Sequence, residues 1–420
     1  MRPGTYLIVA LGVAAALVGA VLAVNARIDP YGLAAIVASP DEAGVIEGAR
    51  PGVFWRKALA VRNPMPRTVI LGTSRAEFGL DPRHPGFAPE YQPVENLALG
   101  GVSIEQIRLL LIHANVRSPL KMAVIGLDME SFIDQGRADF DSAALLGNPE
   151  SEPERLVRLR VGVSRESLAA SLARLSLPEP AVADANVGGK PAETPAWRIP
   201  DEALRLWDGQ RGIVWVAEYD NFHSRLRYLF PKGPSASVWA QDGRHAAAMR
   251  SFRELLRYAR NHDIELRLFI SPVHARYLEW YQRVGWWPLF ESWKRALVET
   301  IDAEAKADGS RPAYVLWDFA SYHAISTEPV PMIGDHATRM RWYRETSHYA
   351  PEVGNLVLDR ILGVQASEPS PLPDGRMSAA TIEQHLSEIR SGAVRYRLSE
   401  PNEVADLDDM LAYLRREAKR

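Results

Sequence analysis

Residues 68–82 read TVILGTSRAEFGLDP and hold the features that decide the fold. The aliphatic run at 69–71 predicts a buried β-strand, because a strand covered on both faces of a sheet is apolar throughout. The run ends at Gly72, and Ser74 and Arg75 follow almost at once. Open parallel sheets bind their ligands beyond the carboxyl ends of their strands. The stretch therefore predicts a candidate nucleophile at one edge of a parallel sheet.

Strands and helices alternate along the rest of the chain. Ser103 and Gln106 have the spacing of a capping box and predict the start of a helix that runs to about 117. Apolar runs at 121–128, 264–272 and 313–320 predict strands, and amphipathic patterns at 244–263, 289–309 and 351–363 predict helices. A βαβ series of this kind indicates an α/β fold, a parallel sheet with helices on both faces.

The same pattern divides the chain into segments. Residues 67–134 and 245–364 carry the strand and helix alternation and are predicted to form one α/β domain. Residues 135–244 interrupt it and are predicted to be a mostly helical insertion that covers the sheet. A connecting segment at 27–66 precedes the domain, and a Pro- and Ser-rich linker with a helical tail at 365–420 follows it. We expect the tail to pack on the outside.

The N-terminal segment, residues 1–26, is predicted to be a membrane anchor. Thr5 to Val24 carries no charge over 20 residues, and at ~1.5 Å per residue such a helix spans roughly 30 Å. Arg2 precedes it, so the positive-inside rule places the N-terminus in the cytoplasm. This predicts a single-pass protein of the inner membrane with an extracytoplasmic body. A cleaved signal peptide with a site near Ala26 is the alternative.

The composition excludes several classes of function. The net charge of -3 lacks the basic excess that neutralises phosphates, so we expect no nucleic-acid partner. The chain has no cysteine, which excludes disulfides, thiolate metal sites and a cysteine nucleophile. No pattern in the sequence calls for a metal or another cofactor. Covalent catalysis would then need a different nucleophile.

Chemistry-bearing side chains follow the predicted strands or precede the last helix. A serine hydroxyl becomes nucleophilic when a base takes its proton, and a histidine base needs a carboxylate to orient it and to stabilise the imidazolium. Ser74, Glu345 and His348 supply these three types. The full set at the predicted crevice is Ser74, Arg75, Asp128, His274, Asp318, Glu345 and His348.

In these motifs the sequence resembles the SGNH, or GDSL-like, hydrolase superfamily. The resemblance is to its membrane-anchored members that take part in polysaccharide O-acetylation, of the alginate type. GTSR at 72–75 matches the block that carries the nucleophile, with Thr73 in place of the usual acid. ENLALGGVS at 95–103 matches the block that gives a glycine amide to the oxyanion hole, with Gly100 or Gly101 as the donor and Asn96 nearby. Glu345 to His348 matches the D-x-x-H block, with Glu for Asp.

The resemblance implies a flavodoxin-like three-layer fold and assigns roles to these residues. Ser74 would be the nucleophile, His348 the base and Glu345 its orienting acid. The oxyanion hole would use the amides of Ser74 or Arg75 and of Gly101, with positive charge from Arg75.

One position departs from the pattern in a way that matters for catalysis. Asp128 stands where the superfamily has an asparagine that donates to the oxyanion. An ionised carboxylate cannot donate, and the loss of one such donor costs ~10²–10³ in rate. Asp128 would therefore be protonated, or structural, or the hole would rely on backbone amides. Asn96, Asp128, His274 and Asp318 are taken as residues that line the site or support its structure.

The sequence thus predicts an envelope serine esterase or O-acyltransferase that acts on acyl esters of a cell-surface polysaccharide. Tryptophans between Trp207 and Trp317, including the pair Trp286 and Trp287, are candidates for stacking on sugar rings. A membrane-embedded protein that donates the acyl group is a candidate partner. The alternative is a degenerate domain that serves as a scaffold or glycan-binding subunit of a modification or export complex, and Asp128 favours it.

Overall fold

The structure is a computed structural model that describes residues 3–28, 57–58, 61, 65–133, 162–164, 167–169, 171–172, 201–206, 208–228, 239, 245–365 and 369–417. Most of the predicted connecting segment and much of the predicted insertion lie outside these residues. The described part of the insertion is largely helical, with α5 at Asp201–Leu206 and α6 at Gln210–Tyr228.

A six-stranded sheet forms the centre of the domain. Its strands are β1 (Thr68–Leu71), β2 (Val94–Asn96), β3 (Met122–Leu127), β4 (Glu265–Ile270), β5 (Leu316–Asp318) and β8 (Arg376–Met377), in the order β2-β1-β3-β4-β5-β8. The first five strands are parallel, which confirms the α/β prediction, and the two segments 67–134 and 245–364 contribute neighbouring strands. The order 2-1-3-4-5 is that of flavodoxin-like sheets, which bind ligands where the winding reverses, between the first and third strands.

The sheet is mixed rather than purely parallel, because its edge strand β8 pairs antiparallel with β5. β8 comes directly after the predicted linker, at the start of a tail that the sequence predicts to be helical. Two residues carry no readable periodicity, so the strand has no sequence signal of its own. The turn before it is set by Gly375, whose φ of +70° favours glycine and whose carbonyl accepts from the Asp318 N–H at 2.7 Å.

The strands alternate their side chains between two apolar cores. In β3, for example, Ala123, Ile125 and Leu127 face one core, and Met122 and Val124 face the other. On the first face lie α3 (Ile104–Arg117), α7 (Ala246–Asn261), α8 (Ala275–Arg283) and α9 (Trp287–Asp308). On the second lie α2 (Ser74–Gly79) and α10 (Pro351–Leu362). The short helix α4 (Glu130–Ile133) follows β3.

Two predicted helix starts are confirmed. The side chain of Ser103 accepts from the N–H of Gln106, and the Gln106 side chain accepts from the N–H of Ser103, so α3 begins with a complete capping box. α10 begins at Pro351, a position where the missing N–H of proline costs no hydrogen bond.

The tail forms two helices, α11 (Ile382–Ser399) and α12 (Pro401–Glu417), that pack on the first face and bury Leu386, Ile389, Leu407 and Met410. Their contacts with the domain include ion pairs. Glu403 pairs with the buried Arg276 at 2.7 Å, and His385 reaches Asp318 at 2.7 Å.

The N-terminal helix α1 (Pro3–Ile28) is exposed along most of its length and is long and apolar enough to cross a membrane. A single-pass anchor and a signal sequence share this property. Near the end of the helix, the side chain of Asn25 is buried. It donates to the carbonyl of Gly162 at 2.8 Å and accepts from the Ser171 hydroxyl at 2.7 Å. The helix therefore contacts the described part of the insertion.

Candidate active site

The turn after β1 explains why a buried strand ends on glycine. Gly72 has a φ of +144°, and a Cβ placed on it would lie 2.9 Å from both the Ala76 side chain and the carbonyl oxygen of Gly126 in β3. Only glycine fits this conformation and this close approach. The turn lets Thr73 cap α2, with its side chain accepting from the Arg75 N–H, and makes Ser74 the first residue of the helix.

Ser74 and His348 are 274 residues apart in the sequence but are in contact in the fold. His348 begins β7 (His348–Tyr349), which pairs with β6 (Tyr343–Glu345) in a small antiparallel hairpin. The Ser74 hydroxyl donates to Nε2 of His348 at 2.7 Å, and Nδ1 of His348 donates to the Glu345 carboxylate. The structure thus brings together the three residues that the sequence predicts as nucleophile, base and orienting acid.

Glu345 is held as a carboxylate. Burial opposes its ionisation, but the adjacent His348 and the hydrogen bonds it accepts from Ser347 lower its pKa to about 2. Ser347 donates its backbone N–H to one carboxylate oxygen at 2.8 Å and its hydroxyl to the other at 3.0 Å. At neutral pH a negative charge therefore faces the imidazole on the side away from Ser74.

The hairpin at 343–349, called here the His348 hairpin, is positioned by groups from two other elements. The buried Gln210 of α6 donates to the carbonyls of Tyr343 and Arg344 at 3.2 and 3.0 Å. The backbone N–H of His274 donates to the Thr346 carbonyl at 3.0 Å. Sequence reasoning missed Gln210, and no local pattern marks it, because its partners lie more than 130 residues away.

Arg75 connects the first turn of α2, which carries Ser74, to the His348 hairpin. Its buried guanidinium pairs with Asp128 at 2.9 Å and with Glu130 at 3.1 Å, and its Nε donates to the Ser347 carbonyl at 2.9 Å. Burial disfavours its charge, but Glu130 and Asp128 raise the pKa of Arg75 above its ordinary value. Its side chain is thus engaged with these carboxylates and lies 5.0 Å from the centre of the Tyr277 ring.

Asp128 lies in the same buried cluster. It accepts a hydrogen bond from the Thr73 hydroxyl at 2.5 Å and pairs with Arg75, so its two oxygens have separate partners. Its neighbour Glu130 accepts from the hydroxyls of Tyr277 and Tyr281. Sequence reasoning missed Glu130 and both tyrosines, although Glu130 lies only two residues beyond Asp128.

We expect Arg75→Met to lower the free energy of unfolding by about 3–5 kcal/mol, because it leaves two buried carboxylates without their cation. Lys306→Met removes an ion pair with Asp302 whose lysine is 76% exposed, and should cost at most about 1 kcal/mol. Urea unfolding followed by tryptophan fluorescence measures both. Equal unfolding midpoints for the two variants would contradict a structural role for the cluster.

The loop after β2, residues 99–102, lies beside Ser74 and is called the glycine loop. A Cβ on Gly100 would lie 3.4 Å from Cβ and 4.0 Å from Oγ of Ser74. Gly101 has a φ of +74°, in the region that favours glycine. The buried Asn96 joins this loop to α2, because its side-chain amide donates to the carbonyls of Ala76 and Leu80 and its oxygen accepts from the Ala98 N–H.

Two other predicted site residues have structural partners. The buried His274 caps α8, with Nδ1 accepting from the Arg276 N–H at 3.2 Å and Nε2 contacting the Glu328 carbonyl at 2.6 Å. Burial lowers its pKa to about 4. Asp318 accepts from the buried Lys294 at 2.5 Å and from His385 of α11 at 2.7 Å. It therefore stabilises the contact between the domain and the tail.

The prediction about tryptophans needs a correction. Trp286 and Trp287 are buried in the apolar core, as are Trp280 and Trp293, and their faces pack against other aromatic rings. They are not available to stack on a sugar. The high aromatic content of this stretch reflects core packing.

Among the residues that the structure describes, no cluster of three or more His, Asp or Glu side chains could hold a metal ion. No protein-family model matches the chain, and no curated protein is similar enough to count as a relative. Inferences about its chemistry therefore rest on the arrangement of its own residues.

Proposed function

We propose that this chain is a membrane-anchored serine esterase or O-acyltransferase of the SGNH type, acting on acyl esters of a cell-surface polysaccharide. The observation that carries the proposal is the chain of hydrogen bonds from Ser74 through His348 to the buried Glu345. The sheet order and the position of Ser74 at the end of β1, beside β3, also support it.

The geometry supports a two-step acyl transfer. Oγ of Ser74 attacks the ester carbonyl carbon while Nε2 of His348 takes the hydroxyl proton, and the charge on Glu345 stabilises the imidazolium. The tetrahedral oxyanion accepts hydrogen bonds from the backbone amides of Ser74 and Gly101. It collapses to an acyl-serine as the leaving alkoxide takes the proton from His348. Water or a sugar hydroxyl then attacks the acyl-serine, gives its proton to His348 and receives the acyl group, and His348 returns this proton to Oγ of Ser74 as the ester bond to Ser74 breaks.

The superfamily assignment is supported by three matching blocks, at 72–75, 95–103 and 345–348, which come in their usual order along the chain. Thr73 and Asp128 depart from the pattern together and contact each other, since the Thr73 hydroxyl donates to Asp128. The carboxylate that the resemblance places before the nucleophile is here supplied by Asp128, which directly follows the neighbouring strand β3 and lies within hydrogen-bond distance of Thr73. In this arrangement Asp128 supports the nucleophile turn, and the oxyanion relies on backbone amides.

The proposed activity is tested by measuring whether the full-length protein in detergent turns over a small activated ester, such as 4-nitrophenyl acetate. We expect release of nitrophenol that depends on Ser74. Added oligosaccharides of the surface polysaccharide should accelerate it if the acyl group passes to sugar, and should leave it unchanged if water is the acceptor. Absence of turnover with every ester tried would contradict the enzymatic proposal.

The proposed location is the inner membrane, with the N-terminus inside and the body outside. A membrane-embedded acyl donor would then be a fitting partner, because the anchor keeps the site near the bilayer.

Cysteine labelling tests this topology, since the chain has no cysteine of its own. Ser378→Cys places a thiol at an exposed position of the body, and we expect an impermeant maleimide to modify it in intact spheroplasts. Pro3→Cys is the matched control and should react only after lysis. Protection of the body thiol until lysis would contradict the orientation.

A second function, a scaffold or glycan-binding subunit, is favoured by one observation. The N–H of Gly100, one of the two candidate donors to the oxyanion, is bound to the Glu77 carboxylate at 2.9 Å. A site that cannot stabilise the oxyanion would bind a glycan without acylating it. Reaction of Ser74 with a fluorophosphonate separates the two functions, because only an activated serine reacts.

A further inference from the structure

Glu77 is a second carboxylate next to the nucleophile, and the acyl transfer described above gives it no role. It lies three residues after Ser74 in α2, so the two side chains share a face of the helix. One Glu77 oxygen accepts from the Gly100 N–H at 2.9 Å. The other accepts from Nζ of Lys57 at 2.9 Å, and the Glu77 side chain is only 10% exposed.

Lys57 belongs to the segment between the N-terminal helix and the domain. It is 3% exposed, and its ammonium donates both to Glu77 and to the carbonyl of Ala98, just before the glycine loop. Lys57 and Glu77 therefore hydrogen-bond to two backbone groups of this part of the chain, the Ala98 carbonyl and the Gly100 N–H.

The glycine loop needs such support. Two successive glycines lose more backbone entropy on ordering than other residues, and Gly101 must hold a positive φ. An oxyanion hole works only if its donors are fixed before the reaction, since donors that must move add their reorganisation to the barrier. A hydrogen bond to an ionised carboxylate is about twice as strong as a neutral one.

We propose that Glu77 and Lys57 are positioning residues that fix the glycine loop so that the Gly101 amide faces the oxyanion formed at Ser74. This inference rests on the proposed acyl-transfer function. Glu77 holds the loop through Gly100, and Lys57 balances the charge of Glu77 and holds Ala98. The segment that follows the membrane helix thereby contributes directly to the candidate active site.

The test compares two double variants of the full-length protein. Glu77→Ala with Lys57→Met removes both charges of the pair and the acceptor for Gly100, so neither member is left as an unpaired buried charge. Lys57 also lies near the largely buried Glu95, and both double variants share the loss of this contact. Glu77→Gln with Lys57→Met also removes both charges but keeps an oxygen that can accept from Gly100. The exposed Glu90→Gln is a control for charge alone. Steady-state kinetics with 4-nitrophenyl acetate give kcat and KM, and urea unfolding shows that each variant is folded.

We expect kcat of the alanine variant to fall by about 10²-fold with KM within about twofold of wild type, because a misplaced loop affects the transition state more than substrate binding. The glutamine variant should recover most of this loss, and the control should match wild type. Glutamine differs from alanine in the acceptor and also in side-chain volume, so the two kcat values are compared only where urea unfolding shows that both variants are fully folded under the assay conditions.

The result that would overturn the inference alone is an active wild type whose alanine and glutamine variants have the same kcat. If the alanine variant does not fold, the inference is decided by the glutamine variant and Lys57→Met alone. The single variant leaves Glu77 buried without its cation, so it should have a lower kcat than the glutamine variant, and the opposite order would overturn the inference. A wild type that neither hydrolyses the ester nor reacts with a fluorophosphonate would overturn the proposed function and this inference with it.

Discussion

Ser74→Ala and His348→Ala should each lower kcat for an activated ester by a factor on the order of 10⁴–10⁶, and their double variant should be no worse than either. The two residues share one proton along a 2.7 Å hydrogen bond. Without the base the hydroxyl stays protonated, and without the hydroxyl the base has no proton to move. Once one of the two residues is gone, the other no longer contributes to the rate, so the second substitution causes no further loss of kcat.

The measurement is kcat for wild type, both single variants and the double variant. Ser391→Ala and His262→Ala change an exposed serine and an exposed histidine outside the site and serve as controls. Multiplicative losses, with the double variant far below both single variants, would contradict a shared proton. Wild-type activity in Ser74→Ala would remove the nucleophile from the account.

Glu345→Gln has the second largest expected effect, a loss of about 10²–10⁴ in kcat. It keeps the shape of the side chain but removes the charge that stabilises the imidazolium, and its amide can present the wrong atom to Nδ1. Glu345→Asp keeps the carboxylate on a side chain that is one methylene shorter, and it should retain more activity than Glu345→Gln. Activity in Glu345→Gln equal to or above that in Glu345→Asp would contradict a role for the charge at this position.

The pH dependence follows from the lowered pKa of Glu345. Its pKa is about 2 in the fold against an ordinary value of 4.5. The carboxylate thus contributes stability that is fully present above about pH 4.5 and is lost as the pH falls towards 2. Urea unfolding of wild type and Glu345→Gln at about pH 5 and about pH 3 measures this effect. The variant lacks the titrating carboxylate, so it should not show the part of the loss that Glu345 contributes.

The parts of the fold that the sequence predicts are those with local, repeated signals. β1, β3 and β4 are found from their apolar runs, and α3 from its capping box, because each depends on residues a few positions apart. β8 is not predicted, because a strand of two residues is too short to show an alternation of apolar and polar side chains.

The candidate site divides in the same way. Ser74, Glu345 and His348 are predictable because they lie in short local motifs, GTSR after a strand and E-x-x-H before the last helix, whose order and spacing can be read from the sequence. Gln210, Glu130 and Lys57 are not, because each acts through partners that only the fold brings near. Arg75 shows the limit most clearly. Its place beside Ser74 suggested an oxyanion role, whereas its guanidinium is engaged by Asp128 and Glu130, which lie more than 50 residues away.

The central claim is that Ser74 is a nucleophile activated by His348. The most direct measurement is the reaction of the full-length protein with a fluorophosphonate, with the modified residue located by peptide mass spectrometry. We expect one adduct, on Ser74, in wild type, and none at that position in His348→Ala. A wild-type chain in which Ser74 stays unmodified, or a His348→Ala chain in which it reacts at the wild-type rate, would contradict this claim.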